Sequence, residues 1–407
     1  MKRIVIHYEN DLTEVVYMED GELIEYYSEK SQDRQSVANI YKGKIVNVLP
    51  GMEAAFVDIG KGKNAFLHRD DLLPIHLEKK PKIKPPIQEL VHLGQELMVQ
   101  IYKEPIGKKG AKITTHFNIP GRYVVYMPNG NYVAVSRKVE SEIERERLKS
   151  IGEEIRLDEE GLILRTVSEN VKADVLKKDI DEIREIWKEI KNGFEAYSAP
   201  AELYHELGIS LRIIRDLFTQ DVQEIIIDNA HKAKVIRKFV HHISPSLVDR
   251  VKVYESNAQS IFEFHNIIKE VEHFFKSKIW LDNGGYIVVD ETEALTVIDV
   301  NTGKYIGSVD LEETVYKTNL EAAETIAKLI RLRDIGGIII VDFIDMQIQE
   351  HRNEIIQKLN NLIQHDRTKT TVIGWTNLGL LEMTRKKARN ITKSPIKVCP
   401  TCHRMIK

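Results

Sequence analysis

The sequence predicts a multidomain α/β protein, and two stretches carry that prediction. In the first, apolar runs at Tyr286–Asp290 and up to Ile298-Asp299-Val300-Asn301-Thr302-Gly303 lead into a helical pattern from about Asp310 to Arg333. A Gly336-Gly337 stop follows, and then a third apolar run, Ile338-Ile339-Ile340-Val341, ends in Asp342-Phe343-Ile344-Asp345-Met346. A strand, a long crossover helix and a strand read as parallel neighbours joined with a right hand. In the second stretch, from Ser36 to His116, short strands alternate with glycine turns and show no helical period. That spacing suggests a small five-stranded barrel of the OB type. At 407 residues the chain has room for about two to four domains with their own cores.

Charged residues make up 30 % of the chain and the net charge is only -3, so any nucleic-acid binding must rest on local patches. The two cysteines, Cys399 and Cys402, exclude a secreted disulfide framework. Met1-Lys2-Arg3-Ile4-Val5-Ile6-His7 has too short an apolar run for a signal peptide. No apolar stretch approaches the ~18 residues of a membrane span. These features predict a soluble cytoplasmic protein.

Taken in order, Arg3–Tyr8, Thr13–Met18 and Glu22–Tyr27 read as strands. They are too few for a domain and are expected to join a sheet completed later in the chain. The barrel strands are Val37–Val48, Ala54–Gly60, Lys63–His68, Gly94–Tyr102 and Lys112–Thr115, with Lys79–Pro86 an exposed insertion and Gly107-Lys108-Lys109-Gly110 a loop. Further strands are expected from Gly121 to about Asn170. Ile180, Ile183, Trp187 and Ile190 recur at three- and four-residue steps and predict a helix, and Phe194–Pro200 reads as a linker. Ile209–Thr219 predicts a helix, Glu224–Asp228 a strand, and Asn257–Phe275 is largely helical in pattern. Gln347–His365 and Leu378–Arg389 read as helices around a strand at Thr370–Trp375, before a basic tail, Ile391–Lys407.

Parallel pairing would place Asp299 and Asp342 side by side at the carboxyl edge of their sheet, where open α/β sheets bind ligands. Two such carboxylates repel unless a proton or a divalent cation lies between them. Mg²⁺ typically uses one or two carboxylates with water and substrate phosphate, so this edge is a candidate metal site for phosphate chemistry. The competing reading makes each Asp a turn former or helix cap. Phe56 and Phe66, on adjacent barrel strands with Lys109 in the nearby loop, could stack bases while lysine tracks phosphate, or the rings could fill the barrel. Arg137, Arg165 and Thr166 could gather around an anion or be solvated surface, and no spacing rule links them. Cys399-Pro400-Thr401-Cys402 offers two thiolates where tetrahedral Zn²⁺ wants four ligands, which leaves zinc shared between chains, a redox pair, or neither.

Ala294-Leu295-Thr296-Val297-Ile298-Asp299-Val300-Asn301, Arg331-Leu332-Arg333-Asp334-Ile335-Gly336-Gly337 and Ile340–Met346 resemble the signatures of the ribonuclease E/G endoribonucleases, in their short form. Gly379–Arg385, the cysteine knuckle, Asn39–Lys44 and Glu53–Asp58 extend the resemblance over essentially the whole chain. It implies an RNase H-like domain (1–35 and 209–276) interrupted by an S1-type OB barrel (36–116) and a 5′-sensor domain (117–208). A DNase I-like catalytic domain (277–394) and a zinc-link tail (395–407) would follow. It further implies that Asp299 and Asp342 hold Mg²⁺ and that Asn301 orients the scissile phosphate. Phe56, Phe66 and Lys109 would hold RNA, and Gly121, Val125, Arg137, Arg165 and Thr166 would grip a 5′-monophosphate. Cys399 and Cys402 would supply half of a Zn²⁺ site shared with a second protomer of a homodimer.

The implied activity is Mg²⁺-dependent cleavage of single-stranded A/U-rich RNA in RNA decay and stable-RNA processing, favouring 5′-monophosphorylated substrates. A non-catalytic RNA-binding scaffold and a DNA-directed nuclease are the rival expectations. Asn377 and Leu378 stand where the family often has an arginine for the 5′ phosphate, which weakens that preference. Five residues follow Cys402, without the glycines usual there or the family's small dimerisation domain, which weakens the case for a dimer held by zinc alone.

Overall fold

The computed structural model describes residues 1–31, 36–74, 84–105, 109–255, 259–292, 294–303, 311–364 and 366–386. The chain divides into two units, one of Met1–Arg34 with Gln220–Lys407 and the other of Gln35–Thr219.

The first unit holds two sheets. In the five-stranded sheet, Lys2–Glu9 pairs antiparallel with Leu12–Glu19, which pairs with Glu22–Lys30. On its other side Lys2–Glu9 runs parallel to Val222–Ile227, itself parallel to Val251–Val253. The first thirty residues therefore do join a sheet completed far downstream. Ile4, Val5 and Ile6 are fully buried, which a central strand requires because both its faces are covered. The helix Ala230–Ile243 links the two parallel strands, and Asn229 caps it by accepting from the Lys232 amide.

The six-stranded sheet has the order Lys278–Trp280, Tyr286–Glu291, Leu295–Asn301, Gly337–Asp342, Leu381–Arg385, Thr370–Trp375. The helix Leu311–Leu332 connects its third and fourth strands, which are parallel, as the strand–helix–strand pattern predicts. Val315, Ala322, Ala323, Ile326 and Ile330 of that helix share one core with Ile298, Val300, Ile339, Val341, Leu381 and Met383. Residues at three- and four-step spacing form one helical stripe, so the helix can lie flat on the sheet. The expected helix at Leu378–Arg389 is instead the strand Leu381–Arg385, paired on both sides. Leu381, Met383 and Arg385 alternate inward, and a period of two outweighs the good helix formers between them.

The second unit contains a barrel. Ile40–Leu49, Ala54–Asp58, Ala65–His68, Lys112–Thr114 and Glu96–Lys103 follow one another, and the last pairs back to the first, closing the circle. This five-strand closure agrees with an OB-type barrel. Ala201–Tyr204 adds to the outside of Ile40–Leu49. A four-stranded sheet, in the order Val133–Val135, Gly161–Leu164, Val124–Met127, Ile119–Pro120, packs against Leu148, Leu176, Ile180, Ile183 and Ile190. Those residues lie on the helices Glu142–Ile155 and Ala173–Ala196. Glu142–Ile155 falls where strands were expected. Its charged sequence leaves Leu148 and Gly152 as its only buried positions, too few to show a helical period. The expected linker from Phe194 is, up to Ala196, the end of the long helix. The helix Ile209–Leu217 also lies in this unit. Among the described residues no helix is long and apolar enough to cross a membrane.

Candidate active site

Asp299 and Asp342 stand opposite one another in the register of the parallel pair Leu295–Asn301 and Gly337–Asp342. Both are exposed, while Ile298, Val300 and Val341 beside them point into the core. Side chains alternate along a strand, so Asp299, Asn301 and Asp342 all project from the open face. The Asn301 amide donates to Asp299 Oδ2 at 2.8 Å. An amide carries two N–H donors and a carbonyl acceptor, so Asn301 keeps polar capacity for a further ligand. Partial desolvation, then the charges of Asp299 and Asp345, push the Asp342 carboxyl above its ordinary range. Among the described residues no lysine or arginine forms an ion pair with Asp299 or Asp342.

The loop after Asp342 is pinned by Asn319, a fully buried side chain of the crossover helix. Its amide donates to the Ile344 carbonyl at 2.8 Å and its carbonyl accepts the Ile344 amide at 3.1 Å. Glu312, in the first turn of the same helix, accepts the amides of Gln347 and Ile348. These two residues set the path of Phe343–Ile348 and hence the position of Asp345. Sequence reading missed both; an Asn and a Glu in a helix that packs on a sheet were the available signal. Gly379, at φ 84, approaches the Asp345 carboxylate from the hairpin between the last two strands.

In the barrel, Phe56 and Phe66 are direct cross-strand partners. Their ring centroids are 6.0 Å apart at 70°, an edge-to-face pair. Both are half-buried, whereas Ala55, Val57, Ala65 and Leu67 are fully buried, so the two rings lie outside the barrel and not in it. Lys109 is exposed beside Gly110, where any side chain would collide with the Asn64 carbonyl. Lys112, which sequence reading passed over, registers directly with Phe66. Its Nζ lies 5.1 Å from the Tyr102 ring centroid. Tyr41, on the first barrel strand, is buried, donating to Glu202 Oε2 at 2.7 Å.

The anion-binding candidates converge through a second parallel pair. Val133–Val135 runs beside Gly161–Leu164, so Ser136-Arg137 and Arg165-Thr166 leave the sheet together. Ser136 Oγ and Thr166 Oγ1 are 2.9 Å apart, and Arg137 is exposed. Arg165 donates to the Gly121 carbonyl at 2.8 Å and pairs with Asp216 at 2.8 Å. Val125 is half-buried on the neighbouring strand, paired with Ile163. The backbone amides of Arg122, Tyr123 and Val124 are taken by the Asp179 carboxylate, which burial keeps above its ordinary pKa despite those bonds. A Cβ on Gly121 would lie 2.6 Å from Asp179 Oδ2, so this wrap requires glycine. An incoming anion would meet side chains here, not a backbone cradle.

Cys399 and Cys402 lie outside the described residues. Among the described residues no group of three or more His, Cys, Asp and Glu side chains is arranged around a metal position. The Asp299–Asp342 edge, with two carboxylates and open solvent, nevertheless fits a hard cation that retains several waters. Paired carboxylates at the edge of parallel strands are suited to holding a cation against a phosphate, here on a chain that also carries a barrel with outward aromatics.

The Ribonuclease E/G family model matches residues 118–388. The chain is 39 % identical over 398 residues to ribonuclease G of Escherichia coli K12, an alignment covering 96 % of this chain and 81 % of that protein. It is 40 % identical over 399 residues to ribonuclease G of Haemophilus influenzae, again covering 96 % and 81 %. Identity to ribonuclease E of a Nostoc species is 36 % over 374 residues, covering 90 % of this chain and 53 % of that protein. The chain belongs to the ribonuclease E/G family.

Proposed function

We propose that this chain is a Mg²⁺-dependent endoribonuclease that cuts single-stranded A/U-rich RNA in RNA decay and in processing of ribosomal and other stable RNA. The observation that carries this reading is the in-register pair Asp299 and Asp342, open to solvent and without a cationic partner among the described residues. A bound Mg²⁺ would lower the pKa of a coordinated water and neutralise charge on the reacting phosphate. Asp299 and Asp342 hold the ion, and Asn301, already bonded to Asp299, presents its remaining amide groups to the scissile phosphate. Asn319 keeps the loop after Asp342 in place. The products are a 5′-phosphate and a 3′-hydroxyl.

Phe56, Phe66 and Lys109 bind the RNA on the barrel surface, and the outward pairing of the two rings supports that role. Arg137, Arg165 and Thr166, with Gly121 and Val125 behind them, form the 5′-monophosphate site, supported by the convergence of their strands. The sheet shared by the first thirty residues and Val222–Val253 supports an RNase H-like domain interrupted by barrel and sensor, with a DNase I-like domain after it. Cys399 and Cys402 supply half of a Zn²⁺ site that links two protomers.

The test is cleavage of one short A/U-rich RNA, bearing a 5′-monophosphate or a 5′-hydroxyl, with Mg²⁺ or chelator, by the native chain and Asp299→Asn. Cleavage that needs both Mg²⁺ and Asp299, and is faster on the monophosphate, is expected. Tight binding without cleavage under any divalent metal would overturn the enzyme reading in favour of an RNA-binding scaffold.

A further inference from the structure

The open face that carries Asp299 continues across two more strands. Asn301 registers with Tyr286, and Tyr286 with Trp280 on the edge strand Lys278–Trp280. Directly opposed residues of an antiparallel pair share a face, so Trp280, Tyr286, Asn301 and Asp299 look out on the same side. Trp280 and Tyr286 meet edge to face, with centroids 5.3 Å apart at 62°. Lys278 Nζ sits 4.5 Å from the Trp280 centroid and 3.4 Å from that of Tyr286. The Trp280 side chain stays 51 % exposed. The hairpin that brings the two aromatics together is tight: Gly284 has φ 88, and Glu321 accepts the amides of Asp282 and Asn283. A Cβ on Gly303, just after Asn301, would come within 3.3 Å of the Tyr286 ring, so this ring is seated against the end of the Asp299 strand.

A lysine on an edge strand guards against edge-to-edge pairing, and Lys278 serves that end whatever else it does. Guarding an edge gives no reason to present a large, half-exposed indole beside it. Aromatic faces with a neighbouring cation are what proteins offer to unpaired bases and their phosphates. Neighbouring strands are about 4.8 Å apart, so Trp280 lies roughly 10 Å from the strand of Asp299, close enough to take a nucleotide flanking the cut.

We propose that Trp280, Tyr286 and Lys278 form a base-stacking subsite on the catalytic sheet, where an unpaired base of the RNA substrate stacks on Trp280 and Lys278 meets its phosphate. This rests on the endoribonuclease reading of the Asp299–Asp342 edge. A base in a duplex presents no free face, so the subsite selects single-stranded RNA at the cleavage point itself. Its preference among the four bases is weak, because every base has a face to stack.

The test uses the full chain in chelator, titrated with a short unstructured RNA and with the same oligonucleotide carrying abasic positions, while intrinsic tryptophan fluorescence and affinity are read. The RNA should quench the native protein, and Trp280→Phe should lose most of that quench while keeping most of the affinity. Trp280→Ala should weaken binding of the base-bearing RNA about 5- to 10-fold, toward the lower end for a stacked base, and leave the abasic oligonucleotide unaffected. Lys278→Gln should reduce the slope of log affinity against log salt by about 0.7, as expected for one lost phosphate contact on a single strand. Equal binding by Trp280→Ala, within twofold for both oligonucleotides, with quench unchanged in Trp280→Phe, would overturn the subsite even if cleavage is intact. Quenching that depends on Trp280 in a protein that cleaves under no metal would instead keep the subsite and remove the endonuclease reading.

Discussion

Asp342→Asn separates a metal-holding carboxylate from a structural one, because the two roles predict opposite changes in stability. Asp299 and Asp342 sit opposite one another on strands about 4.8 Å apart. At about 5 Å two unit charges repel by roughly 0.8 kcal/mol in bulk water and by about 3 kcal/mol at an effective dielectric of 20. Both side chains are exposed, so the lower end applies, further reduced by salt. Replacing one charge with an isosteric amide should therefore stabilise the metal-free protein by about 0.5–1 kcal/mol at low ionic strength, and by less at 0.5 M salt on the order set by screening. Mg²⁺ at ten times its Kd should stabilise the native chain by about 1.4 kcal/mol and leave the variant nearly unchanged. Cleavage should fall by about 10²–10³-fold or more, the size of losing one group that stabilises transition-state charge. The assay is urea unfolding followed by tryptophan fluorescence, with and without Mg²⁺, alongside RNA cleavage. If Asp342→Asn destabilises the metal-free protein, or cleaves as well as the native chain, Asp342 is a turn former and the reasoning fails.

Phe56→Ala or Phe66→Ala should weaken RNA binding by about 1–3 kcal/mol, measured by fluorescence anisotropy, yet cost well under the roughly 3–5 kcal/mol of a core Phe→Ala change, because the rings lie outside the barrel. Arg385 is 4 % exposed and pairs with Asp366 at 2.7 Å and Asp334 at 2.7 Å, so Arg385→Ala should cost about 3–5 kcal/mol in denaturation by stranding buried carboxylates. Burial pushes the Asp366 carboxyl up, but Arg385 overcomes it and holds the group below its ordinary range. Its stabilisation is therefore present above the unfolded value of about 3.9 and should be lost as pH falls through the lower folded value, a slope that Asp366→Asn should remove. His7 is raised by its bond to Asp228, against partial burial, so its contribution is full below the unfolded value of about 6.5 and lost as pH rises through the folded one. Stability measured from pH 6 to pH 9 should decline accordingly, and His7→Asn should flatten that decline.

What could be read from the sequence followed from how local the signal was. The apolar runs flanking Asp310–Arg333 have strand length and the segment between them has helix length and period, so the parallel pairing and the juxtaposition of Asp299 and Asp342 were legible in the sequence. The incomplete first sheet was legible too, since three strands cannot cover a face alone. Leu381–Arg385 was not, because a five-residue strand rich in Leu, Glu and Met has helical propensity and is decided only by the strands on either side of it. Glu142–Ile155 was hidden for the opposite reason, a helix with so little buried surface that its period does not show.

By itself, then, the sequence determined the multidomain α/β class, the crossover that aligns the two aspartates, and the barrel segment, because strand period, helix period and glycine stops are properties of neighbouring residues. Tertiary structure alone decided the direction of the Phe56 and Phe66 rings, since a one-residue change of register turns a strand's faces over. It alone joined Arg137 to Arg165 and Thr166, filled the Arg122–Val124 amides with the Asp179 carboxylate, and set Trp280 beside Tyr286 on the face of Asp299. Each of these depends on which distant strands share hydrogen bonds, a pairing chosen by burial of the whole core and not by any one segment.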